Sequence, residues 1–134
     1  MKMDEGMDTG EIHVTEEFSI ENKTTNEVFD DIARLAPVAL INTMKLIIGE
    51  SILIESAPQD ESKATIAEKL GKRELWFQDN DSDEVAYRKF LASDDAAPAK
   101  CNVAGKTVTV LGAELNDSKL EITKLKPDGK NEMD

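Results

Sequence analysis

The stretch NVAGKTVTVLGAELNDSKLEITKL at Asn102–Leu125 alternates apolar and polar residues, and this pattern decides the fold of the second half of the chain. A period of two is typical of half-buried β-strands, so it predicts strands at Asn102–Leu111 and Lys119–Leu125. Ala104-Gly105-Lys106 has the composition of a hairpin turn. The predicted inward-facing side chains are Val103, Val108, Val110 and Ile122.

Upstream, apolar residues recur at helical spacing from Thr25 onward. Thr25 is the predicted N-cap of a first helix, and Pro37 interrupts that helix because proline disfavours helix in the residue before it. A second helix is predicted from Pro37 to Ile48, ended by Gly49. Its predicted buried stripe consists of Leu40, Ile41, Met44, Ile47 and Ile48.

Two further elements complete the expected secondary structure. Ile12–Ile20 alternates loosely and predicts a half-buried strand that begins the fold. Ser82 is a suitable cap for a helix through Asp83–Leu91, with acidic residues in its first turn and basic residues nearer its end. The sequence therefore predicts an α+β protein.

Charge and composition limit the classes of function. The 134 residues carry 28 acidic and 16 basic side chains, a net charge of −12, which disfavours a bare nucleic-acid binder because such proteins use basic clusters. No stretch approaches the roughly 20 apolar residues that cross a bilayer. Cys101 is the single cysteine and has no nearby partner in sequence, so neither a disulfide nor a metal site is expected. These features favour a cytoplasmic location.

Four ordered segments resemble one known family. MDEGMDTGEI at Met3–Ile12 resembles the folate-binding loop, pattern DxGxDTG, of formyltransferases that use 10-formyltetrahydrofolate. INTMKLIIG at Ile41–Gly49 resembles the end of their catalytic domain. PQDESKATIAEKLGK at Pro58–Lys72 is similar to the linker of methionyl-tRNA formyltransferases, and KLKPDGKNEM at Lys124–Met133 to the end of their C-terminal barrel. Nearly the whole chain therefore resembles the methionyl-tRNA formyltransferase family.

The resemblance implies a domain layout. Residues 1–57 would be the tail of the formyltransferase α/β catalytic domain, 58–72 the linker, and 73–134 a shortened C-terminal domain. Several middle strands of the family's barrel are missing, since Leu111 leads through Asn116-Asp117-Ser118 almost directly into the last strand. We expect a small, incomplete antiparallel β-barrel with unpaired edges.

The resemblance also implies an activity, which is formyl transfer from 10-formyltetrahydrofolate to the amine of initiator methionyl-tRNA. Asp8 matches the catalytic aspartate of the DTG triplet. The folate would lie against the loop backbone at Asp4, Glu5, Gly6, Met7 and Asp8. The tRNA would face the basic linker residues Lys69, Lys72 and Arg73.

The family's upstream Asn and His motif has no match in these residues, so we expect the chain to be inactive alone and to bind tRNA weakly. His13 is the sole histidine, and we expect it at the surface rather than as a substitute base. Two alternatives stay open. One is the related hydrolase portion of 10-formyltetrahydrofolate dehydrogenase, against which the linker argues. The other is a non-enzymatic interaction module whose acidic face docks on a basic partner.

Overall fold

The computed structural model describes residues 1–49, 56–71 and 73–129. It contains the helices α1 (Thr25–Gly49) and α2 (Asp83–Leu91), a short 3₁₀ turn at Glu61–Lys63, and the strands β1 (Lys100–Val103), β2 (Lys106–Asn116) and β3 (Lys119–Pro127). The predicted α+β class is therefore confirmed. The boundaries predicted at residues 57 and 72 stay a prediction.

The chain divides into two compact units. Unit 1 comprises Met1–Ile20 and Phe29–Ala67, and unit 2 comprises Glu21–Val28 and Glu68–Asp134. The DxGxDTG loop, Asp4–Gly10, and most of α1 belong to unit 1, while α2 and the sheet belong to unit 2.

The sheet of unit 2 is antiparallel, in the order β1-β2-β3. Two-residue turns join the strands, with Ala104 and Gly105 at φ of 51° and 77°, and Asp117 and Ser118 at 49° and 61°. Positive φ at both central positions is the turn geometry that matches the twist of a hairpin. The predicted turn at Gly105 is confirmed, whereas β2 continues past the predicted end at Leu111. The three strands form an open sheet and do not close into a barrel.

The core of unit 2 is small and lies between α2 and the sheet. Ala99, Val110 and Ala113 are 0%, 3% and 9% exposed, and half-buried side chains pack against them. These packing residues are Phe77, Tyr87, Phe90, Cys101 and Leu120. Because two of the three central residues are alanines, the aromatic rings are the largest side chains packed in this core.

The inward-facing prediction is correct for half of its residues. Val108 and Val110 are buried, but Val103 and Ile122 are exposed. Val103 lies beside the hairpin turn, and Ile122 lies on β3, which has no further strand beside it among the described residues. An edge position leaves a side chain open to solvent even when its sequence pattern is correct.

Helix α2 has the predicted N-cap. The Val85 amide donates to Ser82 Oγ at 3.3 Å. The Asp83 carboxylate accepts from the Leu120 amide at 3.0 Å, which fastens the first turn of α2 to β3. Local capping and one long-range hydrogen bond together fix where the helix begins.

Helix α1 differs from the prediction in two respects. It runs as one helix through Pro37 rather than as two. Its cap is Thr24, not Thr25, because the Glu27 amide donates to Thr24 Oγ1 at 3.3 Å and the Thr24 amide donates to Glu27 Oε2 at 2.8 Å. This reciprocal pair is a capping box. Proline removes one backbone hydrogen bond, and the 24 other helical residues outweigh that loss here.

The predicted buried stripe on α1 is wrong. Its side chains are 47 to 72% exposed: Leu40, Ile41, Met44, Ile47 and Ile48. The half-buried face of this part of the helix instead carries Leu35, Ala39 and Thr43. Helical spacing correctly predicts an apolar face, but it does not identify what covers that face.

The predicted strand at Ile12–Ile20 is also wrong. One isolated bridge joins Ile12 to Ala57, and Val14 and Ile20 are 41% and 64% exposed.

None of the helices in the described ranges combines the length and apolar character needed to cross a bilayer.

An ion pair between Lys89, in the last turn of α2, and Asp81, which precedes the helix, is well shielded from solvent. Lys89 Nζ lies 2.6 Å from Asp81 Oδ2, and the two side chains are 20% and 12% exposed. Lys89 also donates to the Trp76 carbonyl at 3.0 Å, and the Gln78 amide donates to Asp81 at 2.8 Å. The hydrogen bond from Lys89, followed by that from Gln78, lowers the pKa of Asp81 below its ordinary value.

We expect Asp81→Asn to lower the unfolding free energy at pH 7 by about 1 to 2 kcal/mol, since it removes charged hydrogen bonds. Because the pKa of Asp81 is lower in the folded state than in the unfolded state, where it is near 3.8, the charged carboxylate stabilises the protein at pH values above 3.8. This contribution is lost as the pH falls through the folded-state pKa. The stability difference between wild type and variant should therefore shrink below pH 4. Denaturant melts between pH 7 and pH 2.5 measure it.

Asp79→Asn is the matched control, because Asp79 is exposed and lies two residues away. It should leave both the stability and its pH dependence unchanged. Equal pH dependence in wild type and Asp81→Asn would contradict a stabilising ion pair.

Candidate functional site

The DxGxDTG loop in unit 1 is held by its own side chains. Asp4 Oδ1 accepts a hydrogen bond from the Gly6 amide at 3.0 Å and another from Thr9 Oγ1 at 2.7 Å. An aspartate that bonds a backbone amide two residues on forms a local turn. The Asp4 carboxylate is therefore committed to shaping the loop.

Two glycines are required by close approach. A Cβ at Gly10 would come within 1.8 Å of the Lys2 carbonyl oxygen, and one at Gly6 within 2.1 Å of Thr9 Oγ1. Asp8 has φ of 59°, a left-handed conformation that aspartate and asparagine tolerate better than most residues. With the hydrogen bond between Thr9 and Asp4, the DxGxDTG pattern thus has a structural reason at each of its five fixed positions.

Gln59, from the predicted linker, holds the loop from outside. Its side-chain nitrogen donates to the carbonyls of Asp8 and Gly10, both at 2.7 Å. Ile12 and Ala57 exchange backbone hydrogen bonds of 2.9 Å beside it. The carbonyl of the predicted catalytic residue is therefore fixed by a side chain about 50 positions away in sequence.

Glu11 forms a second connection in the same unit. Ser56 Oγ donates to Glu11 Oε2 at 2.6 Å, and Lys2 Nζ lies 3.4 Å from the same oxygen. The hydrogen bond from Ser56, then that from Lys2, lowers the pKa of Glu11. The carboxylate therefore stays charged at neutral pH and keeps both contacts.

The Asp8 carboxylate is open to another group. Across the described ranges, no residue forms a hydrogen bond or ion pair with it, and His13 is not joined to it. His13 is half-buried rather than at the surface, and its Nδ1 is shielded from solvent without a hydrogen-bond partner in the described part of the chain. An open carboxylate can orient and stabilise an imidazole supplied by another segment.

The residues predicted to contact folate form one wall only. Asp4, Glu5, Gly6, Met7 and Asp8 lie together in the loop, and Met7 is 90% exposed. Nothing among the described residues packs over this side chain. The loop could contact one face of a planar ring, and the other face would have to be enclosed by other residues.

The predicted tRNA-binding residues are only partly placed. Lys69 and Arg73 are exposed, and Lys72 lies outside the described residues. Glu74 accepts a hydrogen bond from the Gly71 amide, so an acidic side chain lies within this short basic segment. Its charge offsets part of the attraction that the basic residues exert on phosphate.

Lys100, another cation of unit 2, is engaged with protein groups. Lys100 Nζ lies 3.6 Å from Asp128 and 6.0 Å from the centroid of the Trp76 ring.

Burial raises the pKa of the Cys101 thiol, which keeps it protonated at neutral pH. Within residues 1–49, 56–71 and 73–129, no group of three His, Cys, Asp or Glu side chains could hold a metal ion.

Three curated proteins similar to this chain carry the same name. A methionyl-tRNA formyltransferase from Colwellia psychrerythraea is 34% identical over 69% of this chain. Another from Nitrosococcus oceani is 32% identical over 84% of the chain, and one from Neisseria gonorrhoeae is 26% identical over 99%. No protein-family model matches the chain.

The chain spans only part of these relatives, namely 29%, 35% and 50% of their lengths. The alignment with the Neisseria protein covers 156 positions, which exceeds the 134 residues of this chain. That relative therefore carries residues that this chain lacks.

Gln59 was missed by sequence reasoning, which treated it only as part of a linker. We expect Gln59→Leu to accelerate amide hydrogen exchange at Ile12 by about tenfold, because two hydrogen bonds that hold the loop are lost. Gln78→Leu is the matched control, since Gln78 donates to the Trp76 carbonyl in unit 2. Unchanged exchange at Ile12 in Gln59→Leu would show that Gln59 does not hold the loop.

Proposed function

We propose that these residues form part of a methionyl-tRNA formyltransferase and supply its folate-contacting loop, its linker and a reduced C-terminal sheet. The parent reaction is formyl transfer from 10-formyltetrahydrofolate to the amine of initiator methionyl-tRNA. The similarity over 69 to 99% of this chain supports the family. The observation that carries the proposed role is the loop itself, because it presents an open Asp8 carboxylate on a backbone fixed by Gln59.

Asp8 acts in this proposal through a partner imidazole. Formyl transfer requires loss of a proton from the attacking amine and stabilisation of a tetrahedral oxyanion. A carboxylate that accepts the imidazole N–H holds the ring in the productive tautomer and stabilises its protonated form. The family's Asn and His have no counterpart in these residues, so the 134-residue chain alone should not catalyse the transfer.

The loop backbone from Asp4 to Asp8 would contact the pterin ring of 10-formyltetrahydrofolate. Its shape is already set by the Asp4 hydrogen bonds, so binding needs little further ordering of this segment. Initiator methionyl-tRNA would approach Lys69, Lys72 and Arg73. Because the substrate belongs to translation initiation, we assign the protein to the cytoplasm.

A hybrid enzyme tests the role of the loop. In this hybrid, residues Met3–Gly71 of the chain replace the aligned segment of the Nitrosococcus relative. The remainder of that relative is kept unchanged. We expect formylation of methionyl-tRNA within about tenfold of the parent, and none from the 134-residue chain alone. Asp8→Asn in the hybrid should reduce kcat by about 10² to 10⁴, since asparagine keeps the left-handed backbone but loses the charge.

Glu16→Gln is the control in the hybrid, because Glu16 is exposed and lies outside the loop. It should leave kcat unchanged. A folded but inactive hybrid, or equal activity in Asp8→Asn, would overturn the proposed role of this loop. Formylation by the 134-residue chain within tenfold of the relative would overturn the expected inactivity.

Binding of tRNA by the chain alone should be weak. The net charge of −12 repels phosphate, so we expect no complex at about 10 μM protein in roughly 150 mM salt. Any binding at low salt should disappear in the double variant Lys69→Glu and Lys72→Glu, and should persist in Lys63→Glu, whose lysine already pairs with Asp60. A filter-binding titration checks this, and submicromolar, salt-resistant binding would contradict it.

A further inference from the structure

The DxGxDTG loop is closed where the chain enters and leaves it, a place that we call the loop base and define by Lys2 and Glu11. The Lys2 amide donates to the Glu11 carbonyl at 2.8 Å, which brings the two flanking segments together. A Cβ at Gly10 would overlap the Lys2 carbonyl, so the backbones approach each other closely here. A surface loop whose ends meet in this way keeps its position through contacts at its closure point.

The Glu11 side chain joins the loop base to the segment that lies beside it. Its Oε2 atom accepts a hydrogen bond from Ser56 Oγ at 2.6 Å and lies 3.4 Å from Lys2 Nζ. A hydroxyl that donates to a carboxylate over so short a distance forms a charge-assisted hydrogen bond, which is stronger than one between neutral groups. One carboxylate therefore contacts both the chain that enters the loop and the neighbouring segment.

Gln59 holds the loop at a second point, and the two residues act on different parts of it. Gln59 donates to the carbonyls of Asp8 and Gly10, so it fixes the backbone that carries the open carboxylate. Among the described residues, the side-chain hydrogen bonds of Glu11 are made at the loop base, and none is made with Asp8. Loss of Gln59 would therefore change the geometry at Asp8, whereas loss of Glu11 would let the loop pivot as a unit.

We propose that Glu11 is a positioning residue that sets the affinity of the loop for 10-formyltetrahydrofolate, whereas Asp8 serves the chemical step. This proposal rests on the proposed function. A loop that pivots spends only a fraction of its time in the conformation that contacts the pterin ring, and the apparent dissociation constant rises as that fraction falls. Bound folate restores the conformation, so the rate constant of the bound complex changes little.

Folate affinity and turnover of the hybrid enzyme, extended at its start to include Lys2, separate the two roles. Glu11→Ala should raise the dissociation constant for 10-formyltetrahydrofolate, measured by equilibrium dialysis, about 5- to 20-fold, while kcat stays within about twofold. Glu11→Gln should raise the constant only about two- to fourfold, because its amide oxygen still accepts from Ser56. Glu16→Ala is the matched control, since this carboxylate is exposed outside the loop, and it should change neither quantity.

A charge exchange distinguishes positioning of the loop from a general loss of stability. Lys2→Glu alone places two carboxylates at the loop base and should weaken folate binding about tenfold. Adding Glu11→Lys restores an ion pair there, and the new ammonium group can donate to Ser56 Oγ. The dissociation constant should then return to within about threefold of that of the unaltered hybrid, while helix content by circular dichroism stays constant.

Unchanged folate affinity in Glu11→Ala, or a fall in kcat without a change in affinity, would overturn the proposal. So would a charge exchange that fails to restore affinity. Failure of the proposed function gives a different result: Asp8→Asn would then keep its kcat, while Glu11→Ala would still weaken folate binding. A folded hybrid that binds no folate would overturn both.

Discussion

Packing of α2 against the middle strand is the contact on which unit 2 depends. Val110 lies at its centre, and the rings of Tyr87 and Phe90, with centroids 6.4 Å apart, cover it from the helix side. With Ala99 and Ala113 as its buried neighbours, this core contains few large aliphatic side chains. Its stability therefore relies on the aromatic residues and on polar connections at its edge, such as the Asp83 contact with β3.

Elements whose signals are local could be predicted from the sequence. Ser82 caps α2, Ala104 and Gly105 form the turn, and Val108 and Val110 point inward, because each depends on neighbours within a few residues. The errors concern features that depend on residues far apart in the sequence. Pro37 does not end α1, since the turns on either side sustain the helix. Among the described residues, the alternation at Ile12–Ile20 gives one isolated bridge, between Ile12 and Ala57, and no named strand.

The candidate site likewise combines features that a local sequence pattern predicts with contacts that it does not. The DxGxDTG pattern locates the loop, and the bonds of Asp4 together with the tight approach at Gly10 explain why those residue types are needed. Gln59 could not be found in this way, because its contacts with the loop join residues 49 and 51 positions apart. No periodicity or short motif encodes a contact over that distance. The site is also incomplete within the described residues, since Met7 remains open to solvent.

The two units differ in how their apolar residues are used. Among the described residues, every buried hydrophobic side chain belongs to unit 2: Leu75, Ala86, Ala99, Val108, Val110 and Ala113. Unit 1 contains most of a 25-residue helix, and most of the larger apolar side chains of this helix are exposed. A helix gains most of its stability in a protein by covering one face, so the exposed apolar side chains of α1 contribute little to the stability of unit 1. The amphipathic pattern predicted a buried face on α1, and in the described part of the chain the side chains of that face are 47 to 72% exposed.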